Sequence, residues 1–105
     1  METKVTTANF AAEVENSSKP VLVDFFATWC QPCRMIAPFV AQVAEERPDI
    51  KVCKVDIDEN GALAGRFGID SIPNLLLFRD GKLLGNMMGY HTKSDILSFI
   101  DSKLA

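Results

Sequence analysis

Two cysteines lie three positions apart in the stretch Trp29-Cys30-Gln31-Pro32-Cys33. A pair of thiols at this spacing can supply two ligands to a metal ion, or it can open and close a disulfide. The spacing alone does not choose between these two uses. The choice depends on the remaining ligands in the chain and on the elements around the pair.

A zinc site needs four ligands. Beyond the pair, the chain offers Cys53 and a single histidine, His91, and it has no second C-x-x-C. Cys53 lies inside an apolar run that we predict to be a buried strand. We therefore favour redox chemistry and expect no metal.

The segments around the pair read as strand, helix and strand. Residues 21–26 (VLVDFF) form an apolar run without alternation, which is typical of a strand covered on both faces. Apolar residues then recur at helical spacing from Cys33 to about Arg47, and 51–57 (KVCKVDI) reads as a second core strand. Two strands joined by a helix predict a right-handed parallel crossover.

This order places Cys30 at the start of a helix. Free backbone N–H groups and the helix dipole there favour the thiolate, which is the nucleophilic form of cysteine. Cys33 lies about one turn further along, within reach of Cys30. Cys30 would attack a substrate disulfide, and Cys33 would then attack Cys30 and release the reduced substrate. Pro32 restricts the first turn, where proline removes no needed hydrogen bond.

Shorter elements are predicted on either side of this crossover. Thr7 is a candidate cap for a short helix that buries Phe10 and Val14, and 62–68 (ALAGRFG) indicates another brief helix. The sequence Asp80-Gly81 is a strong hairpin signal between two apolar runs.

A closing helix follows the hairpin. Thr92 and Asp95 resemble a capping box, and Ile96, Ile100 and Leu104 follow at a spacing of four. The whole pattern predicts an α/β architecture: a mixed sheet with helices on its faces, the parallel crossover first and the hairpin last.

Size and charge narrow the function classes. The chain has 105 residues, enough for one domain spanning 1–105, and a formal net charge of −3. Scattered Lys and Arg argue against a nucleic-acid surface or a polybasic membrane contact. The charged N-terminus and the short apolar runs predict a cytoplasmic protein without a membrane span.

Several separated motifs resemble the thioredoxin family, in order and in spacing, over nearly the whole chain. They are VDFFATWCQPCRMIAPF, KVDID, GIDSIPNLLLFRDGK and MMGY. The resemblance implies the thioredoxin fold, a central five-stranded mixed sheet flanked by four helices. It also implies a monomer without a bound cofactor that reduces disulfides in substrate proteins and receives electrons from thioredoxin reductase.

The resemblance assigns roles to four residues. It implies that Cys30 is the exposed nucleophile and Cys33 the buried resolving thiol. Asp24 matches the buried carboxylate thought to take a proton from the resolving cysteine, and Lys54 matches the lysine near it. The plainer alternatives are a charge on a strand edge for Asp24 and a solvated side chain for Lys54.

A substrate-binding rim around Cys30 is implied as well. Ile72-Pro73 matches an Ile-Pro pair whose peptide bond is cis and whose backbone pairs with an extended substrate segment. The resemblance implies that the following residues form this rim: Trp29, Gln31, Pro32, Ile72, Pro73, Met88, Gly89 and Tyr90. A place in the core is an equally good hypothesis for Met88.

Four residues near this face depart from the family pattern. Gln31 replaces a glycine, Asn74 a threonine, Phe26 a tryptophan and Tyr90 a small residue, which leaves substrate range and redox poise open. Cys53 is additional, either as a small buried hydrophobe or as a regulatory thiol. Two other functions stay open beside the reductase: a disulfide oxidase or isomerase, and a non-enzymatic subunit of another protein.

Overall fold

A computed structural model describes residues 1–105. Its strands are β1 (Glu2–Lys4), β2 (Val21–Phe26), β3 (Lys51–Asp56), β4 (Asn74–Arg79) and β5 (Lys82–Met88). A short π-helix (Ala11–Glu15) precedes the three α-helices, which are α1 (Gln31–Glu46), α2 (Gly61–Arg66) and α3 (Lys93–Leu104). No helix has the length and the apolar composition that crossing a lipid bilayer requires.

The five strands form one mixed sheet in the order β1-β3-β2-β4-β5. β3 runs parallel to both β1 and β2, whereas β4 and β5 continue the sheet antiparallel. The predicted crossover from β2 through α1 to β3 is therefore present, and so is the predicted hairpin of β4 and β5. The five-stranded mixed sheet with four helical segments confirms the predicted fold class.

The central strand β2 separates two hydrophobic cores. Val21, Val23 and Phe25 face the core that contains the π-helix residue Val14, whereas Leu22 faces the core of α1 and α3. Side chains alternate along a strand. The alternation therefore places Asp24 on the α1 side of the sheet, among apolar neighbours and behind the start of that helix.

Of the two predicted helix caps, the one at Thr92 forms and the one at Thr7 does not. Thr7 caps no helix, because its N–H donates to Asn60 Oδ1 and the π-helix has no side-chain cap. Thr92 does cap α3, since its Oγ1 accepts from the N–H of Asp95. The capping box is only half formed, and the Asp95 carboxylate lies 3.8 Å from His91 Nδ1 instead.

The hairpin turn depends on two residues with positive φ. Asp80 has φ 54° and Gly81 has φ 77°, the combination that a type I′ turn requires. A Cβ on Gly81 would also lie 3.1 Å from the backbone oxygen of Glu15. Backbone conformation and the close approach of Glu15 both favour glycine at this position.

We predict that Gly81→Ala lowers the free energy of unfolding by roughly 1–2 kcal/mol, because alanine is strained at positive φ. Gly65 in α2 is the matched control. Its Cβ would meet no atom within 4 Å. Gly65→Ala should stabilise by roughly 0.5–1 kcal/mol through helix propensity. Urea unfolding of both variants measures the difference, and equal effects of the same sign would contradict this account.

Candidate active site

Cys30 and Cys33 form a disulfide at the start of α1. Cys30 is the N-cap residue of the helix, with extended backbone angles of φ −85° and ψ 113°. The free N–H of Cys33 donates to Cys30 Sγ over 3.2 Å. One N–H group of the helix start is therefore directed at the sulfur, in the position where it stabilises a thiolate in the reduced form.

Cys30 is more covered than the resemblance implies. Both cysteines are only 4% exposed, so Cys30 is not an exposed nucleophile in the disulfide form. The two cysteines and Ala27 form a small cluster against which Phe26 and Ile72 pack. In the disulfide, each sulfur covers part of the surface of the other. The exposed part of the motif is Gln31 and Pro32.

Gln31 and Pro32 form the exposed first turn of α1 between the cysteines. The Gln31 amide makes no hydrogen bond within the protein. Gln31 therefore presents its donor and acceptor groups to solvent, or to whatever protein approaches the disulfide.

Asp24 is buried in the sheet and is not a strand-edge charge. It is 1% exposed, Oδ2 lies 3.8 Å from Lys54 Nζ, and Oδ1 has no hydrogen-bond partner. Burial raises the pKa of Asp24 to about 7; the Lys54 ammonium opposes this rise, and the Glu2 carboxylate adds to it. The carboxyl group can therefore gain or lose a proton near neutral pH.

Lys54 connects this carboxylate to two cavities. Its side chain is 24% exposed, and its ammonium lies 4.7 Å from the ring centroid of Phe26, in a cation–π contact. Lys54 and Phe26 line a cavity of about 330 Å³ shared with Glu2, and another of about 290 Å³ shared with Cys33. Lys54 is thus part of the site and not simply a solvated lysine.

A second loop lies beside the disulfide. The Ile72-Pro73 peptide bond is cis, and the Pro73 carbonyl accepts a hydrogen bond of 2.8 Å from the N–H of Gly89. Gly89 has φ 81°, which favours glycine there. Buried Asn74 accepts a hydrogen bond from the Asn86 amide through Oδ1. These bonds join the loop to the end of β5.

Three of the predicted rim side chains are strongly exposed. Trp29 is 66%, Met88 56% and Tyr90 47% exposed, so the core hypothesis for Met88 is wrong. The Trp29 indole N–H donates to Asp58 Oδ2, and the Tyr90 ring packs edge-on against Phe39.

Two further residues lie beside the site without any sequence pattern that indicates them. They are Asp58, next to Trp29, and Glu2, in the cavity that Lys54 lines. The hydrogen bond of Asp58 to Trp29 joins residues 29 positions apart. Glu2 belongs to a strand of three residues, too short to show a periodicity. Neither residue carries a local signal, and only the strand order brings Glu2 towards Asp24.

Cys53 lies apart from this chemistry. It is fully buried in the core on the opposite face from Asp24, and burial raises the pKa of its thiol to about 11. No three His, Cys, Asp or Glu side chains lie where they could share a metal ion. The set of Cys30, Cys33, Cys53 and His91 is therefore not assembled.

Comparison with known proteins agrees with this geometry. The thioredoxin family model matches residues 2–102. The chain belongs to the thioredoxin family. It is 46% identical to thioredoxin 1 of Synechococcus elongatus over 95% of this chain and 94% of that protein. It is also 48% identical to thioredoxin of Mycobacterium bovis, over 90% of this chain and 82% of that protein, and 38% identical to thioredoxin of Rickettsia bellii, over 99% and 100%.

The family and the Cys30–Cys33 pair together define a thiol-disulfide oxidoreductase that reduces protein disulfides. The relatives favour this function over an oxidase, an isomerase or an assembly subunit. Disulfide-containing proteins are the substrates that the thioredoxin family implies, and thioredoxin reductase is its typical partner.

The buried carboxylate predicts a pH-dependent stability. The pKa of Asp24 is about 7 in the folded chain, against 3.8 for an ordinary aspartate. The folded state therefore binds the Asp24 proton more tightly, and stability falls as pH rises from about 4 to about 7. One pKa unit corresponds to about 1.4 kcal/mol. The total loss in the free energy of unfolding, which is complete above pH 7, is therefore at most about 4 kcal/mol.

We expect Asp24→Asn to remove this loss. Urea unfolding of both forms between pH 4 and 8 should show an advantage of the variant that grows with pH and levels off above pH 7. Asp70→Asn, at an exposed position, is the control and should show no such trend. An advantage for Asp24→Asn that is the same at pH 4 and pH 8 would contradict the raised pKa.

Proposed function

We propose that Cys30 is the attacking thiolate, Cys33 the resolving thiol and Asp24 the acceptor of the Cys33 proton. The observation that supports this most directly is the position of Asp24. It is a buried carboxyl group with a pKa near 7, on the sheet face covered by α1, whose first turn contains Cys33.

The proposed exchange has two steps. The Cys30 thiolate attacks one sulfur of a substrate disulfide, so that a mixed disulfide forms and the other substrate sulfur leaves as a thiolate. Cys33 then passes its proton to Asp24 and attacks Cys30 Sγ. The Cys30–Cys33 bond forms, the bond to the substrate breaks, and the second substrate sulfur leaves with the electron pair. The substrate gains two electrons and the protein ends as the disulfide.

Lys54 is the proposed electrostatic partner of this transfer. At 3.8 Å from Asp24 Oδ2 it lies beyond the usual 2.7–3.2 Å of a hydrogen bond. The ammonium therefore favours the carboxylate without fixing the proton, which suits a group that must take up a proton and release it in each cycle.

The rim is the proposed docking surface for the substrate. Ile72 packs against the two cysteines, and Trp29, Met88 and Tyr90 present exposed apolar surface. Exposed apolar patches of this kind mark binding sites. Gln31, Pro32, Pro73 and Gly89 complete the proposed surface, with an extended substrate segment lying along the Ile72-Pro73 backbone.

Electrons for the next cycle are proposed to come from a thioredoxin reductase acting on the Cys30–Cys33 disulfide. We further propose that residues 1–105 act as a single domain and as a monomer in the cytoplasm. The unpaired thiol of Cys53 suits a reducing compartment, where free thiols persist.

We predict different failures for the two cysteines. Cys30→Ser should abolish insulin-disulfide reduction, because no nucleophile remains. Cys33→Ser should still attack but should accumulate a mixed disulfide, visible as a larger species on non-reducing gels. The assay uses dithiothreitol first, and then NADPH with a thioredoxin reductase.

Cys53→Ser is the matched control, since it removes a thiol on the opposite side of the sheet. It should keep the turnover of the unmodified protein. Normal turnover in Cys33→Ser, or loss of activity in Cys53→Ser equal to that in Cys30→Ser, would refute the assignment. Activity with dithiothreitol but none with NADPH and the reductase would refute only the proposed electron donor.

A further inference from the structure

Glu2 lies on the same face of the sheet as Asp24, although 22 residues separate them. β1 pairs with β3 and β3 pairs with β2, so that Lys4, Lys54 and Asp24 are aligned across the three strands. Glu2 precedes Lys4 by two residues, and side chains alternate along a strand. The strand order therefore directs Glu2 to the face that buries Asp24.

The two carboxylates have a feature in common. Asp24 Oδ1 and Glu2 Oε2 are both buried, and neither accepts a hydrogen bond. Glu2 also lines the cavity of about 330 Å³ that Lys54 and Phe26 border. A buried anion without donors is unfavourable unless it is neutralised by a proton or by a nearby cation.

The cations around this cavity do not neutralise both groups. The Lys54 ammonium is 3.8 Å from Asp24 Oδ2. Lys4 lies next to Glu2 in sequence, but its side chain is 74% exposed and its ammonium pairs with Glu59. No lysine ammonium pairs with Glu2, so its carboxylate remains an unpaired charge on the face of the sheet that buries Asp24, where a like charge opposes the ionisation of Asp24.

Other titratable and charged groups line the two cavities that Lys54 borders. The first cavity contributes Glu2, Lys4, Lys54, Asp56 and Glu59, and the second contributes Cys33 and Arg34. Leu75, which pairs with Asp24 on β4, is uncharged. Among these acidic groups, Glu2 alone combines a buried oxygen without a hydrogen-bond partner with a charge that raises the pKa of Asp24.

We propose that Glu2 is a positioning residue for the proton transfer: its carboxylate lies on the same sheet face as Asp24, has a buried oxygen without a hydrogen-bond donor, and repels the Asp24 carboxylate. The role of Glu2 in catalysis rests on the proposed proton transfer from Cys33 to Asp24. Its effect on the Asp24 proton does not, and the two can be tested separately.

The first test follows the Asp24 carboxyl carbon by NMR from pH 4 to pH 10 in the oxidised protein. Asp24→Asn identifies the signal by its loss. Glu2→Gln, which removes the charge and keeps the shape, should lower the titration midpoint by at least about 0.3 pH unit. Glu2→Asp keeps the charge and should stay closer to the unmodified protein than Glu2→Gln.

Glu59→Gln is the matched control. It removes a carboxylate that lines the same cavity but is 59% exposed and paired with Lys4. Its midpoint should move by less than that of Glu2→Gln. An unchanged midpoint in Glu2→Gln, or an equal shift in Glu59→Gln, would overturn the proposal whatever happens to activity.

The second test measures release of the substrate from the mixed disulfide against pH, by rapid mixing. If the midpoint falls by about 0.3 pH unit, the ionised fraction of Asp24 at pH 6 rises about twofold. We therefore expect release at pH 6 to be about twofold faster in Glu2→Gln, with the acid limb of the profile displaced to lower pH. Lowered NMR midpoints with release profiles unchanged in both Glu2→Gln and Asp24→Asn would uphold the charge effect of Glu2 and refute the proton-transfer role of Asp24.

Discussion

The burial of one carboxyl group constrains the whole site. Asp24 occupies the central strand, is 1% exposed, and has an oxygen without a hydrogen bond. Such a group is stable only with a proton or with a nearby cation. The parallel pairing of β2 with β3 supplies the cation, because it aligns Lys54 with Asp24. The crossover that builds the sheet therefore also brings Lys54 to Asp24.

The same crossover positions the sulfurs. The connection from β2 into α1 is short, so the helix begins near the end of the central strand, with Cys30 as its N-cap. The disulfide then lies between the helix start, which offers N–H groups, and the packed side chain of Ile72. Both cysteines are nearly covered, and the exposed side chains of Trp29, Met88 and Tyr90 belong to the proposed rim. The sheet and helix that position the sulfurs and the loops that carry this exposed surface are thus different parts of the chain.

Sequence patterns predict the long elements and the reactive pair, because these depend on local periodicity and spacing. The charge of Asp24 inside an apolar run also marks it without any structure. Thr7 and Glu2 show where such reasoning fails. Thr7 binds Asn60 and not its own helix, and Glu2 reaches the site only through the strand order β1-β3-β2. Contacts between distant segments leave no local pattern, and a strand of three residues has too few positions to show one.

The departures from the family pattern lie around the reactive groups, and Phe26 shows how such a change can act. Its ring and Asp24 both attract the Lys54 ammonium, at 4.7 Å from the ring centroid and 3.8 Å from Oδ2. A cation–π contact contributes roughly 0.5–2 kcal/mol, depending on exposure. The ammonium thus interacts with the ring and with the carboxylate, and its charge opposes, without cancelling, the effect of burial that raises the pKa of Asp24 to about 7. A change of the aromatic residue at position 26 would therefore act on the Lys54 ammonium and, through its charge, on the carboxyl group of Asp24.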